Sequence, residues 1–203
     1  MTVTGLVLAA GSSRRLGQPK QTLDYRGSTL LDATLTMAKS CGFGQLIVTL
    51  GGASDDVRTK VDLSGLTVVE NPDSSSGCSS SIAAALAAVD TRAQGIVLLL
   101  GDQPGILTQT VEALIANSWD SPLGVCRYRA GRGHPFWFHH ELFAELSQLH
   151  GDKAVWKLLE SGAYPVRETK VDAEVPLDVD TWEDYEALLA QDEQREAVIE
   201  ANK

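Results

Sequence analysis

The amino-acid sequence predicts an α/β protein with a mostly parallel central sheet. Short runs of Val, Ile and Leu without polar alternation are typical of strands that are covered on both faces. Longer segments with helical spacing separate these runs, and the alternation predicts βαβ units with right-handed crossovers. A length of 203 residues, 43% of them hydrophobic, favours one domain with one substantial core.

The first half of the chain carries the clearest alternation. Candidate strands span residues 3–8, 45–50, 66–69 and 95–100, and candidate helices span residues 29–40, 55–61, 79–89 and 108–117. Such folds bind ligands at the carboxyl ends of their strands. A basic loop directly follows the first strand and Asp102 follows the fourth, so both are expected at that edge of the sheet.

The second half is less regular. Residues 122–138 alternate apolar and polar side chains and predict a β excursion from the sheet, followed by helices at 140–149 and 153–160 and a strand at 164–168. Thr181, with Asp184 three positions later, is expected to cap a final helix. The segment after Gln191 is polar and without periodicity. We therefore expect a single domain over residues 1–190 and a fraying tail over 191–203.

Composition limits the possible partners. A net charge of -10 and a pI near 4.8 leave no broad basic face for a nucleic acid. No apolar run of about 18 residues and no signal-peptide layout is present, so no membrane partner is expected. The three cysteines are widely spaced and odd in number, which fits neither a disulfide framework nor a cysteine metal site. These features predict a cytoplasmic protein.

The loop from Leu8 to Lys20 is the most informative segment. It holds two glycines, two serines, two arginines and a lysine, which can offer backbone N–H groups and positive charge to a polyphosphate. Residues 1–30 contain four basic side chains against one acidic side chain, a local charge of +3. An anionic ligand at this loop is therefore expected.

Two common phosphate-binding patterns fail at this loop. Walker A needs four residues between its glycines, whereas five separate Gly11 from Gly17 and Gln18 follows. The dinucleotide fingerprint G-x-G-x-x-G is also missing. The remaining pattern, G-x-S-x-R-x-G-x-P-K, resembles the signature loop of nucleotidyltransferases that activate small phosphorylated molecules with a nucleoside triphosphate. The alternative is a strand-to-helix turn that is merely basic.

Nucleotidyl transfer joins two anionic partners, so its catalysis consists mostly of charge neutralisation and alignment. Gly11 permits close approach of the backbone to phosphate. Arg15 has a planar fork suited to the β- and γ-phosphates, and Lys20 is a compact charge for the α-phosphate. Arg14 is expected to be a solvated charge. Arg15, Lys20 and Asp102 are therefore the candidate catalytic residues.

Three carboxylates are candidate ligands for a metal ion. Asp102 follows a buried strand, and Asp178 and Asp180 are spaced to lie on one side of an extended segment. Oxygen ligands together with a phosphorylated substrate favour Mg²⁺, and no Cys/His cluster is available for zinc. The alternative for Asp102 is a helix cap.

Two further groups of residues could contact substrates. Asn71 and the serines Ser80 and Ser81, at the start of a helix, offer polar groups to a base, ribose or phosphate, or else form a flexible capped turn. His134 follows Arg132 in Arg-Gly-His-Pro, and this pair suggests a pocket for the acceptor substrate. A general base is not required there because the attacking phosphate is already ionised.

Taken in order, these motifs resemble the MobA-like nucleotidyltransferases, and in particular the molybdenum cofactor cytidylyltransferases. The resemblance implies a Rossmann-like three-layer fold and Mg²⁺-dependent attack of the molybdopterin phosphate on CTP, giving the cytosine dinucleotide cofactor and pyrophosphate. It also implies transient contact with a molybdenum hydroxylase. It assigns the triphosphate to Arg15 and Lys20 and the metal to Asp102 and Asp180. The full set of expected nucleotide-binding residues is Ala9, Ala10, Gly11, Ser12, Ser13, Arg15, Lys20, Asn71, Ser80 and Ser81.

The chain departs from the family pattern at three positions. Cys78 stands where Met is common, Trp182 replaces the usual Pro, and Trp156 occupies an arginine position. Three alternatives therefore stay open. One is a transferase that uses GTP or another phosphorylated acceptor, and another is a non-catalytic accessory protein that binds the cofactor for molybdenum hydroxylases. The third, a nucleotide-dependent oxidoreductase on a similar fold, is opposed by the missing dinucleotide fingerprint.

Overall fold

The computed structural model describes residues 2–201 and contains one large sheet and a small hairpin. Its strands are β1 (Thr2–Ala9), β2 (Asp24–Tyr25), β3 (Ser28–Thr29), β4 (Gln45–Leu50), β5 (Thr67–Glu70), β6 (Ala93–Leu100), β7 (Leu123–Tyr128), β8 (Gly131–His139) and β9 (Val166–Lys170). Its helices are α1 (Leu30–Ser40), α2 (Ser54–Lys60), α3 (Cys78–Leu86), α4 (Thr108–Ser118), α5 (Phe143–Leu146), α6 (Ala154–Glu160) and α7 (Trp182–Ala201).

The large sheet has seven strands in the order β5-β4-β1-β6-β8-β7-β9, and within it β8 runs opposite to the others. The strands that follow β1 along the chain are first added on one side of it, as β4 and β5. The chain then crosses to the other side to form β6. The reversal creates a topological switch point between β1 and β6, where α/β proteins open a crevice for ligands.

Helices cover both faces of the sheet and give three layers. On one face α1, α2 and α4 bury apolar side chains such as Leu35, Val57 and Leu114 against β1, β4 and β6. On the other face α3, α5 and α6 do the same with side chains such as Ile82 and Leu158. The predicted Rossmann-like α/β fold with a mostly parallel sheet is confirmed.

The first helix, α1, and the last helix, α7, both begin with a threonine and an aspartate that form reciprocal capping hydrogen bonds. The Thr29 side chain accepts a hydrogen bond from the Asp32 backbone N–H at 3.1 Å at the start of α1. The cap predicted for the final helix is confirmed, since Thr181 Oγ1 accepts from the Asp184 N–H at 3.2 Å and Asp184 accepts from the Thr181 N–H at 2.8 Å. These reciprocal bonds satisfy backbone donors that a helix start leaves unpaired.

Two predictions for the second half were wrong. Residues 122–138 do not leave the sheet, because β7 and β8 form a hairpin inside it and β8 pairs with β6. Phe136, Trp137 and Phe138 are all buried, which is the pattern of a strand covered on both faces. The helix expected over residues 140–149 is reduced to a 3₁₀ turn at His140–Leu142 and the single turn of α5. Only Leu142 and Leu146 of that segment are buried hydrophobic residues, too few for a long amphipathic face.

The tail also differs from the prediction, because α7 continues past Gln191 to Ala201. Asp192 is buried and accepts hydrogen bonds from the Arg26 guanidinium at 2.7 and 2.9 Å, which fixes this helix to the small hairpin. Residues 202 and 203 lie outside the described residues. Over residues 2–201 we find no helix with both the length and the apolar character needed to span a membrane.

Candidate functional site

A cavity of about 420 Å³ opens at the carboxyl ends of β1 and β6, at the switch point of the sheet. Most of the residues expected to contact the nucleotide line it. They are Ala9, Ala10, Gly11, Ser12, Ser13, Arg15, Lys20 and Ser81, and the acidic residues Asp102 and Asp180 join them. Because β1 and β6 are neighbouring parallel strands, the loops that follow them meet at one edge.

The loop after β1 folds back on itself and returns Lys20 to the cavity. The Leu16 N–H donates to the Ser13 carbonyl at 3.0 Å, and the Lys20 N–H donates to Ser13 Oγ at 2.9 Å. Ser13 has a φ of 49° and Gly17 a φ of 70°, so the turn uses left-handed backbone, for which glycine is the favoured residue. The signature pattern thus spans a turn that these hydrogen bonds to Ser13 close.

Gln21 holds the same loop from beneath and was not predicted as a site residue. Its side-chain Nε2 donates to the Ala9 carbonyl at 2.7 Å and to the Gly11 carbonyl at 3.0 Å. Gln21 is buried, and its Oε1 has no hydrogen-bond partner among the described residues. One amide therefore fixes the backbone on both sides of Ala10.

Lys20 joins the two acidic segments of the site. Its ammonium donates to Asp102 and, at 2.8 Å, to Asp180 Oδ1. Burial acts to lower the pKa of Lys20, but the two carboxylates outweigh burial and raise the pKa above its ordinary value. The lysine is therefore a permanent cation, and its side chain is 13% exposed, like that of Asp102.

The two arginines of the loop differ in their contacts. Arg15 donates to Asp180 Oδ2 at 2.6 Å and stays solvent-exposed. Lys20 and Arg15 together hold the pKa of Asp180 below its ordinary value. Arg14 is exposed at the cavity wall, as expected for a solvated charge. The side of the cavity formed by β1 and β6 thus combines three cationic groups with two carboxylates.

The residues present fit a hard divalent cation. Asp102 and Asp180 both reach the ammonium of Lys20, so a cation already sits between two carboxylates. Among residues 2–201 no group of three or more His, Cys, Asp or Glu is placed to hold a metal. Two carboxylates are nevertheless the usual protein share of a Mg²⁺ site that is completed by phosphate oxygens and water.

Asp178 lies beside this pair and does not line the cavity. The residue remains solvent-accessible, but protein atoms crowd its carboxyl. This partial desolvation and the negative charge of Asp102 raise the pKa of Asp178 to about 6. Of the three carboxylates expected to hold a metal ion, Asp102 and Asp180 thus face the cavity.

Asn71, Ser80 and Ser81 form a hydrogen-bonded group. Asn71 is buried, and its Nδ2 donates to Ser80 Oγ at 2.8 Å and to Ser81 Oγ at 3.0 Å. Its Oδ1 accepts from the Asp73 N–H at 3.0 Å. Of the three, Ser81 lines the cavity, whereas Asn71 and Ser80 hold the segment before α3 in place.

His134 and Arg132 lie at the same edge of the sheet but outside the cavity lining. They begin β8, which runs antiparallel to β6, so this part of β8 lies near the carboxyl end of β6. The His134 ring packs 4.1 Å from that of Phe136, with the edge of Trp156 at 6.4 Å, and burial lowers the pKa of His134 to about 3. Arg132 pairs with Glu168 at 2.7 Å.

The far wall of the cavity contains residues that were not among the predicted site residues. Ser74, Ser75, Gly77, Cys78 and Asp152 line it. Asp152 belongs to a Gly-Asp pair ahead of α6 and contacts Cys78. The two residues are 74 positions apart in the sequence, so their contact could not be predicted from spacing. The nearby Trp156 was noticed only as a departure, and its ring packs edge-on against Phe136 at 5.2 Å.

Comparison with known proteins shows what this chain is similar to. The profile of the MobA-like NTP transferase domain matches residues 5–169. The Rv0371c protein of Mycobacterium tuberculosis, solved in complex with manganese, is 52% identical with a TM-score of 0.86, over 94% of this chain and 99% of that chain.

Two characterised relatives have different names. Nicotine blue oxidoreductase of Paenarthrobacter nicotinovorans is 37% identical over 66% of this chain and 69% of its own length. Molybdenum cofactor cytidylyltransferase of Escherichia coli is 26% identical over 89% of this chain and 92% of its own length. Relatives of this chain therefore include proteins named for two different reactions.

Proposed function

The chain belongs to the family of MobA-like NTP transferases, and from this membership we propose that it transfers the cytidylyl group of CTP to the phosphate of molybdopterin. The products are the cytosine dinucleotide cofactor and pyrophosphate. One observation carries the proposal: Arg15 and Lys20 meet Asp102 and Asp180 in one cavity at the switch point of the sheet. The E. coli cytidylyltransferase supports the choice of CTP and of the acceptor.

The reaction is an in-line displacement at phosphorus. An oxygen of the acceptor phosphate forms a bond to the α-phosphorus while the bond from that phosphorus to the bridging oxygen breaks, and the electron pair leaves with pyrophosphate. Lys20 stabilises the charge that builds up on the α-phosphate, and Arg15 binds the β- and γ-phosphates. Backbone N–H groups of the loop from Gly11 to Ser13 bind phosphate oxygens. No proton transfer is needed, because the attacking phosphate is already ionised.

Asp102 and Asp180 would hold a Mg²⁺ or Mn²⁺ ion, with Asp178 as an additional candidate ligand. A divalent ion supplies positive charge to the phosphates when it is bound. The manganese complex of the M. tuberculosis relative supports a divalent cation in this family. Both carboxylates accept hydrogen bonds from Lys20 in this structure, so they are already turned toward the cavity.

The remaining residues divide between nucleotide and acceptor. We assign Ala9, Ala10, Ser12 and Ser81 to the nucleotide, with Asn71 and Ser80 supporting Ser81. We assign His134 and Arg132 to the acceptor, because β8 begins beside the carboxyl end of β6. A neutral His134 offers the acceptor a flat ring and a hydrogen bond but no charge. A cytoplasmic location and transient transfer of the product to a molybdenum hydroxylase complete the proposal.

Pyrophosphate release tests the function directly. The protein is incubated with Mg²⁺, molybdopterin and one of CTP, GTP, ATP or UTP. We expect release with CTP and at most slow release with the others. Release with GTP alone would show that GTP, and not CTP, is the nucleotide substrate. Release only with a different phosphorylated acceptor would show that molybdopterin is not the acceptor. Nucleotide-independent binding of the cofactor without any release would favour an accessory protein that delivers the cofactor.

Two substitutions test the proposed catalytic residues. Lys20→Ala and Asp102→Asn should each lower turnover by at least ~10²-fold, the scale for removing one preorganised charge stabiliser. Lys60→Ala on α2 and Asp120→Asn after α4 are matched controls on the surface and should keep full turnover. Near-normal turnover in both site variants would rule out this cavity as the active site.

A reduction reaction is the second candidate, because the 37% identical relative is named an oxidoreductase. Oxidation of NADH or NADPH in the presence of nicotine blue would reveal it. We expect no nicotinamide oxidation, since the chain lacks the dinucleotide fingerprint. Dye-dependent oxidation that is unaffected by Lys20→Ala would favour this second candidate over nucleotidyl transfer.

A further inference from the structure

A carboxylate lies on the cavity wall at the amino end of α3. Asp152 Oδ1 accepts a hydrogen bond from the Cys78 backbone N–H at 3.0 Å, and the Cys78 thiol donates to the Asp152 carbonyl at 3.2 Å. Asp152, Cys78 and Gly77 all line the cavity. These contacts join the segment before α6 to the start of α3 and hold the carboxylate in one place.

Gly77 allows this close approach. It has a φ of 102°, and a Cβ at this position would lie 2.6 Å from Asp152 Oδ1. Any other residue would therefore both strain the backbone and displace the carboxylate. The contact between Asp152 and α3 depends on a specific backbone conformation, which distinguishes it from a chance contact on the surface.

The carboxylate makes the two sides of the cavity electrostatically different. The amino end of a helix normally attracts anions, but here Asp152 already occupies that position and repels a second one. Burial and the charge of Asp152 raise the pKa of Cys78 to about 11, so the thiol stays neutral. Phosphate groups are therefore favoured beside Lys20 and Arg15 and disfavoured beside α3.

We propose that Asp152 orients the nucleotide by accepting hydrogen bonds from its ribose hydroxyls. This inference rests on the proposed function, because it requires a nucleoside triphosphate in this cavity. Cys78 engages Oδ1 only, so lone pairs on Oδ2 remain for donors. Asp152 is a solvent-exposed residue, which suits the hydrated hydroxyls of a ribose, whereas a base favours a covered apolar surface. The two hydroxyls are neighbours on the ribose, so both can donate hydrogen bonds to one carboxylate.

Calorimetric binding of CTP and of 2′,3′-dideoxy-CTP, without an acceptor, tests the proposal. The unmodified protein should bind CTP about tenfold more tightly, the scale of a hydrogen bond to a charged group. Asp152→Asn keeps an oxygen for the Cys78 N–H but removes the charge, and should bind both nucleotides with nearly equal affinity. Asp120→Asn, a surface carboxylate that pairs with Arg167, is the matched control and should keep the preference for CTP.

Two further measurements separate the possible outcomes. Inorganic tripolyphosphate should bind Asp152→Asn at least as tightly as it binds the unmodified protein, because only the ribose contact is lost. Gly77→Ala should reduce the preference for CTP in the same way, by displacing the carboxylate. Equal binding of CTP and dideoxy-CTP by the unmodified protein, or an undiminished preference in Asp152→Asn, would overturn this inference and leave the proposed function intact. Failure to bind any of the four nucleoside triphosphates would overturn both.

Discussion

Lys20 acts as the internal counter-ion of the two acidic segments. Its ammonium contacts both Asp102 and Asp180, and all three side chains face the cavity where a metal ion would bind. A lysine that neutralises two carboxylates must compete with a divalent cation for them. A triphosphate would attract the same ammonium and so release the carboxylates. Metal binding should therefore be weak without nucleotide and stronger with it.

Removing this lysine should strengthen metal binding in the absence of nucleotide. Lys20→Met leaves Asp102 without its cationic partner and Asp180 paired with Arg15 alone. We therefore expect Mn²⁺ to bind about tenfold more tightly to this variant, from the order of magnitude of a close charge pair. Titration calorimetry, or the electron paramagnetic resonance signal of free Mn²⁺, measures the affinity. Lys60→Met on α2 is the control. Unchanged or weaker Mn²⁺ binding in Lys20→Met would contradict this role.

His134 should make stability depend on pH. Burial lowers its pKa to about 3, below the value of about 6.5 that the residue has in an unfolded chain. Between these two pKa values the unfolded state binds a proton at His134 and the native state does not. The contribution of His134 to the free energy of unfolding is therefore fully present above about pH 6.5 and is lost as the pH falls toward about 3. The limiting slope for one group is about 1.4 kcal/mol per pH unit.

His134→Phe should abolish this part of the acid sensitivity. The free energy of unfolding in urea, measured at pH 7.5 and pH 5.0, gives the pH-dependent loss for each protein. We expect a smaller loss in His134→Phe than in the unmodified chain. His150→Phe, an exposed histidine after α5, should leave the loss unchanged. Equal losses in His134→Phe and the unmodified chain would show that His134 can be protonated in the native state.

At the scale of elements, the parts predicted best are those whose signal is local. The apolar runs of β1, β4 and β6 and the cap at Thr181 depend on neighbouring residues, and they were predicted within a few positions. β8 was misplaced because its pairing with β6 joins residues about 40 positions apart. Its run of three aromatic residues is compatible both with a strand that leaves the sheet and with a central strand, so the sequence pattern does not distinguish the two.

The same limit applies to the candidate site. Arg15, Lys20 and Asp102 could be chosen because their residue types suit phosphate chemistry and they follow strands. Gln21 and Asp152 could not, since a glutamine and an aspartate are usually surface residues. What distinguishes them is a partner: Gln21 binds two backbone carbonyls of the loop, and Asp152 meets the backbone of Cys78. No spacing in the sequence encodes these contacts.

Gln21 should determine the shape of the signature loop. Gln21→Met keeps the size of the side chain but removes both donors, leaving the carbonyls of Ala9 and Gly11 without this partner. We expect a loss of about 1–3 kcal/mol in unfolding free energy and weaker nucleotide binding. Urea unfolding and calorimetry with CTP measure the two effects. Gln94→Met, at an exposed position of β6, is the control. Unchanged CTP affinity would show that the loop keeps its shape without Gln21.

At the scale of the whole molecule, a third apolar cluster links segments that are far apart in the chain. It packs Leu16, Leu23 and Leu30 against Val179 and Leu188. Leu16 directly follows Arg15, and Val179 directly precedes Asp180, so both cavity-facing residues border this cluster. α7 contributes Leu188 and is further held by the pairing of Arg26 with Asp192. The docking of α7 should therefore support the geometry of the site from outside it.

Leu188→Ala tests this coupling at a distance from the cavity. Leu188 is 4% exposed, and truncating a buried leucine costs about 2–5 kcal/mol. We expect this loss in urea unfolding together with a several-fold weaker binding of CTP with Mg²⁺, because Arg15 and Asp180 lose a common support. Leu107→Ala, at a leucine that is 51% exposed, should change neither quantity. If Leu188→Ala lost stability but bound CTP with unchanged affinity, α7 would stabilise the fold without positioning the site.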